Sequence, residues 1–183
     1  MTPAASAPPS PYPEAEAPEE AGALSELALR SKAHWGYDEA FLAACRDELT
    51  LHPAEIIRRR TLVAVDEDGG AGAGAGAGDV AGGERLLGFT TLEGIPTLAV
   101  LGMMFVEPDA MGRGVGSRLF RHTVDLARDL GFARISIDAD PHAEPFYLAM
   151  GAVRVGTTPS GSIAGRVLPL LSLEIGAHDA GGT

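Results

Sequence analysis

The 183-residue chain predicts an α/β (α+β) fold, with a mixed, mostly antiparallel central sheet of six to seven strands flanked by about four helices. Two observations carry that expectation. Apolar residues recur at helical spacing in four windows and as β-branched or continuous runs in six others, in the order ααββ, βαβ, αββ, which places helices on both faces of a mixed sheet. The length, with 45% hydrophobic residues, suits one domain with a real core.

The first 20 residues hold six of the 13 prolines and four glutamates, with Tyr12 the only aromatic. Such a stretch cannot bury enough surface to offset its ordering entropy, so residues 1–20 read as a disordered tail. A single domain is expected over residues 21–176 and a disordered C-terminus over 177–183. Apolar spacing predicts helices over 23–32 and 38–49, the second opened by Asp38 as a cap. Residues 61–65 and 85–92 read as a strand hairpin. Between them DEDGGAGAGAGAGDVAGGE carries eight of the 24 glycines, and residues 69–83 read as a flexible Gly/Ala loop. It lacks the Lys-Ser/Thr ending of a phosphate loop and opens no helix.

Gly94 and Pro96 mark a turn, and residues 97–106 form a strand too apolar to have a wet face, hence central in the sheet. An amphipathic helix follows over 116–130, stopped by Gly131. Residues 134–138 form a short strand, and 143–150 a short helix ended by Gly151. Residues 152–157 and 167–175 pair as the final hairpin.

Composition excludes several function classes. One cysteine rules out a disulfide scaffold or a Cys-based zinc site. The histidines at 34, 52, 122, 142 and 178 show no metal-binding helical spacing, so no metal is expected. A net charge of −11 disfavours nucleic acid as a partner. No apolar stretch approaches the roughly 20 residues of a membrane span. The N-terminal stretch has neither a basic region nor an apolar run, and a cytoplasmic protein is expected.

The stretch LGMMFVEPDAMGRGVGSRLF, residues 101–120, carries the chemistry. A buried strand ends at Val106, a proline turn follows, and Gly112, Gly114 and Gly116 alternate at the mouth of a helix. Glycines there let several backbone N–H groups converge on one anion, favoured by the helix dipole, while Ser117 adds a hydroxyl and Arg113 a cation. A diphosphate suits that arrangement; a turn that merely lets strand and helix pack is the structural alternative. A dinucleotide fingerprint fits less well. Its third glycine would be Ser117, five residues separate the strand end from Gly112, and only one βαβ unit is present.

VEPDAMGRGVGSRLF resembles the acetyl-CoA signature of the GNAT superfamily of N-acyltransferases, a V-x-P turn before [Q/R]-x-x-G-x-[G/A] and a helix. Met111 stands where Gln or Arg is usual. A second motif agrees in order and spacing: DPHAEPFYLAMGA, residues 140–152, is similar to the A-x-x-F-Y-x-x-x-G-F helix of that superfamily. The resemblance spans roughly residues 23–175, and the element order agrees with that fold.

The resemblance implies an acyl-CoA donor, most often acetyl-CoA, and a primary-amine acceptor on a small molecule or peptide; it also admits a homodimer. Met104, Phe105 and Val106 would offer backbone groups to the pantetheine arm. Residues Gly112, Arg113, Gly114, Val115, Gly116 and Ser117 would hold the diphosphate. Tyr147 would protonate the departing thiolate, a phenol with an ordinary pKa of about 10 being protonated at neutral pH; its structural alternative is a core aromatic. Asp140 falls where the family often has Asn near the coenzyme, and His142 could supply a donor there. No base is assigned: residues 97–106 hold no carboxylate, and Asp138, Glu93, a water chain and an already deprotonated substrate all stand open. Trp35 and Tyr37, in SKAHWGY, could form an amine-binding face by cation–π contact, or Trp35 could plug its loop into the core. Arg166 could meet an acceptor carboxylate or be an exposed hairpin arginine, and Arg58 to Arg60 read as a solvated charge run. A non-catalytic acyl-CoA-binding module of the same fold is the alternative function.

Overall fold

A computed structural model describes residues 20–66 and 85–176, and the expectations for residues 1–19, 69–83 and 177–183 fall outside them. The described elements are α1 (Glu20–Ala33), α2 (Glu39–Leu49), α3 (Pro53–Arg58), β1 (Leu62–Asp66), β2 (Arg85–Ile95) and β3 (Leu98–Val106). A 3-10 turn (Pro108–Ala110) leads to α4 (Val115–Asp129), β4 (Arg134–Asp138), α5 (Glu144–Ala149), β5 (Val153–Pro159) and β6 (Val167–Glu174). The strands form one six-stranded sheet in the order β1-β2-β3-β4-β6-β5. Only β3 and β4 pair in parallel; every other neighbour is antiparallel. The sheet is mixed and mostly antiparallel, as the element order predicts.

Helical periodicity decides which faces are covered. Ala21, Leu24, Leu27, Ala28 and Ser31 recur three or four residues apart on α1, and this stripe is buried. It packs with Leu86, Phe89 and Met103 of the sheet. α4 covers the other face: Val115 and Leu119 meet Leu87, while Phe120 and Ala127 meet Leu101, Ile135 and Ile137. Burying each large aliphatic or aromatic side chain contributes roughly 1.5–3 kcal/mol, so these two stripes fix both helices to the sheet. The one polar pair under α4 is satisfied, the Thr90 and Thr123 hydroxyls lying 2.8 Å apart. Because α1 is held this way, its C-terminal turn, with Lys32 and the following Trp35, reaches the carboxyl end of the parallel pair.

Several elements differ from expectation. α1 begins at Glu20, inside the stretch read as tail. α3 has no counterpart in the periodicity: six residues are too few to show it, and its start is set by Pro53 at the first turn and by the Glu55 carboxylate accepting from the His52 amide at 3.2 Å. β2 continues through Gly94 to Ile95, leaving Pro96 and Thr97 as the turn. β3 does occupy the middle of the sheet, but its first half has an open face: Ala99, Leu101 and Met103 are buried, whereas Leu98 and Val100 are 39% and 38% exposed. Strand hydropathy here reports position in the ladder and not the covering of both faces. Among the described residues no helix is long and apolar enough to cross a membrane.

Candidate active site

The site begins where the parallel pair comes apart. β3 and β4 are in register from Leu98↔Arg134 to Leu101↔Ile137, and there their pairing ends. β3 continues to Val106, still paired with β2 on its other edge. The register against β2 shifts at the same level: Met103 faces Thr91 and Leu101 faces Leu92, so Gly102 is the extra residue of a β-bulge. A side chain at Gly102 would collide with the Glu93 carboxylate, the Thr91 hydroxyl and the Arg59 guanidinium. Beyond the bulge, residues 103–106 present backbone groups along an edge that lies inside the sheet. A cavity of about 530 Å³ fills the gap, lined by residues 101–106 on one side and by Ile137, Asp138 and Asp140 on the other.

One end of the cavity is closed by the glycine loop. The proline turn after β3 is anchored to α1, since Arg30 Nε donates to both Glu107 carboxylate oxygens at 3.2 and 3.3 Å. Gly112 and Gly114 have φ of 73° and 82°, the left-handed conformation in which a Cβ costs about 1–2 kcal/mol. Gly114 is the N-cap of α4 and supplies no side-chain cap, and no acidic side chain stands in the first turn. The helix therefore presents uncapped amides and its positive dipole end to the cavity, which Met111, Gly112, Gly114, Gly116 and Ser117 line. Arg113 is exposed and does not line the cavity, and Val115 points away from it into the core with Leu87, Ala110 and Leu119.

The opposite wall comes from α5. Tyr147 is 6% exposed, held between Phe120 and Phe146 in edge-to-face contacts of 5.6 and 5.2 Å, and it lines the cavity. Burial, then the nearby Asp140 charge, pushes its phenol well above the usual value. It is a core aromatic and a cavity residue at once.

The remaining wall joins segments distant in sequence. Asp140 accepts from Lys32 Nζ and from the Tyr37 hydroxyl, each at 3.0 Å, and from the His142 amide at 3.0 Å. Arg166 Nη2 donates to the Tyr37 oxygen at 2.7 Å and lies 3.5 Å from Asp140. Burial alone would raise the Asp140 carboxyl, but the His142 amide, the Lys32 ammonium and the Tyr37 hydroxyl together hold it below the usual range. Tyr37 is pushed up to about 12 by burial and by the same carboxylate. Trp35 is 40% exposed and stacks on His142 at 5.2 Å with the rings 5° from parallel; both line the cavity.

Two expectations change here. Trp35 does not plug a core; it rests on His142 at the cavity wall. Arg166 is not an exposed hairpin arginine: its side chain is 18% exposed and its guanidinium lies over the Tyr37 and Phe41 rings at 5.2 and 4.8 Å. Asp140, expected near the coenzyme, has its carboxylate engaged by Lys32, Tyr37 and Arg166, while Tyr37 lies behind it rather than on the cavity surface. Three charged cavity residues lie outside the site residues proposed from sequence: Lys32, Glu48 and Asp138, the last weighed only as a base. Neither Lys32 nor Glu48 carried a signal; that Lys32 is the single lysine among 14 basic residues reads as compositional bias. Among the described residues no group of three or more His, Cys, Asp or Glu could hold a metal ion.

The family model for the acetyltransferase (GNAT) family matches residues 28–152. No curated protein sequence is similar enough to this chain to match it. Among solved structures, a GCN5-related N-acetyltransferase from Rhodopseudomonas palustris superposes with a TM-score of 0.64 at 23% identity, over 86% of this chain and 91% of that one. The PaiA N-acetyltransferase of Thermoplasma acidophilum, in complex with coenzyme A, gives 0.63 at 18% identity over 85% and 93%. An aminoglycoside 6'-N-acetyltransferase complexed with coenzyme A gives 0.60 at 18% identity over 91% and 97%. At these identities the likeness is one of fold.

Proposed function

The chain belongs to the GNAT acetyltransferase family, and from that premise we propose that it is an acyl-CoA-dependent N-acyltransferase, moving an acetyl group from acetyl-CoA to a primary amine of a small molecule or peptide. The observation that carries this reading is the parted strand pair. A free β3 edge at 103–106, the uncapped start of α4 and Tyr147 all border one cavity. The residues present fit an acyl-CoA: the amides of 114–117 and the Ser117 hydroxyl suit a diphosphate, and the strand edge suits the amides of a pantetheine arm. Arg113 would act only from the rim, and Val115 only through its backbone. The structures of coenzyme A complexes with the same fold support the assignment.

An acyl thioester supplies an activated carbonyl carbon and a sulfur leaving group. The protein's part is to orient it, exclude water and manage two protons. Tyr147 stands protonated because burial and Asp140 both oppose its ionisation, so it can deliver a proton to sulfur without pre-equilibration. Trp35 and His142 form an aromatic wall opposite, suited to the body of an amine.

The test is thiol release from acetyl-CoA against a panel of amines. Turnover is expected with at least one amine, and Tyr147→Phe should lower kcat roughly 10²-fold or more, the scale of a positioned acid, with acetyl-CoA affinity retained. Unchanged turnover in Tyr147→Phe removes Tyr147 from the chemistry. Tight acetyl-CoA binding without turnover on any amine favours the non-catalytic module, for which the unusual Met111 at the loop and the engaged Asp140 speak.

A further inference from the structure

An amine attacking a thioester must lose a proton as its bond to carbon forms, and the cavity holds three carboxylates that could receive it: Glu48, Asp138 and Asp140. Asp140 is saturated by Lys32, Tyr37, Arg166 and the His142 amide. Outside the lining, Glu93 is bound by Arg59 Nε at 2.7 Å, Glu107 by Arg30, and Glu144 by Arg154 at 3.2 Å. Neither Glu48 nor Asp138 forms an ion pair with any described residue.

Of these two, Asp138 has the better place. It is the last residue of β4, one step past Ile137, where the pairing with β3 ends, so it stands at the mouth of the gap. Glu48, on α2, lines the same cavity. On the assumption that the acyltransferase reading is right, we propose that Asp138 is the base that takes the acceptor's proton, and that Glu48 sets the pH range in which it does so. The nitrogen–carbon bond forms and the carbon–sulfur bond breaks. One proton passes from nitrogen to the Asp138 carboxylate and one from the Tyr147 phenol to sulfur, and both side chains are reset from solvent.

The electrostatics agree. Asp138 is an exposed residue, and the partial desolvation of its carboxyl and then the Glu48 charge raise that carboxyl above its usual value, which makes it a stronger base than an ordinary carboxylate. The other charged groups around it are Lys32 on α1, whose ammonium is spent on Asp140, Asp140 itself, and Arg166 from the β5–β6 loop, also on Asp140. His142 stands on the turn beyond them, and β6 offers Leu168 and Leu170. Both nearby cations are engaged by Asp140, and Glu48 is the charged side chain that acts on Asp138.

The experiment is the pH profile of kcat/KM for the whole chain with acetyl-CoA and two amines of different basicity, a limb that stays put between amines belonging to the protein. Asp138→Asn should lower kcat/KM near neutrality 10²-fold or more, with acetyl-CoA affinity by calorimetry unchanged and the deficit shrinking as pH rises. Glu48→Gln should keep the wild-type plateau but move the acid limb to lower pH, so that this variant outruns the wild type several-fold below the limb. A purely structural role for Glu48 would not shift that limb. An Asp138→Asn variant with wild-type rate and profile overturns the proposal while leaving the transferase reading intact, and a Glu48→Gln profile superimposable on wild type overturns the coupling. A wild-type chain that binds acetyl-CoA but acetylates no amine ends both readings.

Discussion

Two walls of the cavity are built in opposite ways. The wall at residues 102–117 is one continuous stretch in which strand, turn, glycine loop and helix start follow each other in sequence, and its chemistry is mostly backbone. The facing wall draws Lys32 and Trp35 from α1 and its loop, Glu48 from α2, Asp138 and Asp140 from the end of β4, and Arg166 from the last hairpin. Its chemistry is side chain and charge, with partners up to 129 residues apart. A backbone wall tolerates changes in side chain but not in φ. A charged wall tolerates backbone change but not the loss of one partner.

Asp140→Asn should therefore be the most damaging single change in either wall. Lys32 and Asp140 have side chains only 14% and 15% exposed, and neutralising the acid leaves the ammonium and Arg166 facing each other without an anion. Breaking a buried pair costs about 3 kcal/mol at the lower end, readable as a fall in the urea midpoint. The same variant carries a pH signature. Because the fold holds the Asp140 carboxyl below its ordinary value, the stability it supplies is complete above about pH 4 and is lost as pH falls through the depressed value. The acid limb of the wild-type stability curve should flatten in Asp140→Asn. A limb identical to wild type would mean that Lys32, Tyr37 and Arg166 do not stabilise the ionised form.

On the backbone wall the larger effect belongs to Gly112→Ala. Nothing lies within 4 Å of a Cβ built there, so the penalty is conformational, about 1–2 kcal/mol for an L residue at φ 73°. Donor affinity should fall with it, as the loop relaxes toward negative φ, while acceptor KM at saturating acetyl-CoA stays within about twofold. If stability is untouched, the loop has another conformation available and the comparison of walls fails on this side.

The same contrast accounts for what the sequence disclosed. The individual helices and strands apart from α3, the α4 amphipathic stripe and the glycine loop are local patterns, each written within about 20 residues, and they were legible. Asp38 as a helix cap was legible for the same reason: its carboxylate accepts from the Phe41 amide at 2.8 Å, three residues on. The Asp140 cluster was not, because no spacing within the chain couples residues 32, 37, 140 and 166. Only the sheet order and the packing of α1 bring them together. The Gly102 bulge was hidden differently: LGMMF reads as an unbroken strand, and the extra residue is defined only by its register against Thr91 and Leu92.

Gly116→Ala gives the smallest expected change of all. A Cβ at this position would sit 3.5 Å from Met104 Cε and 3.6 Å from both Phe146 and Val106, ordinary van der Waals distances that need no rearrangement. Gly116 lies in the first turn of α4 with no left-handed φ, so alanine there is compatible with the backbone and favours the helix by up to about 1 kcal/mol. The protein by itself gives no reason for glycine at 116. All three neighbours of that Cβ line the cavity. Gly116→Ala should thus melt at or slightly above the wild-type temperature and keep close to wild-type affinity for acetyl-CoA by calorimetry, since the signature that this loop resembles admits alanine at the position of Gly116. A marked loss of donor affinity in an alanine variant of unchanged stability would show that the donor packs on the α4 start more tightly than that signature allows.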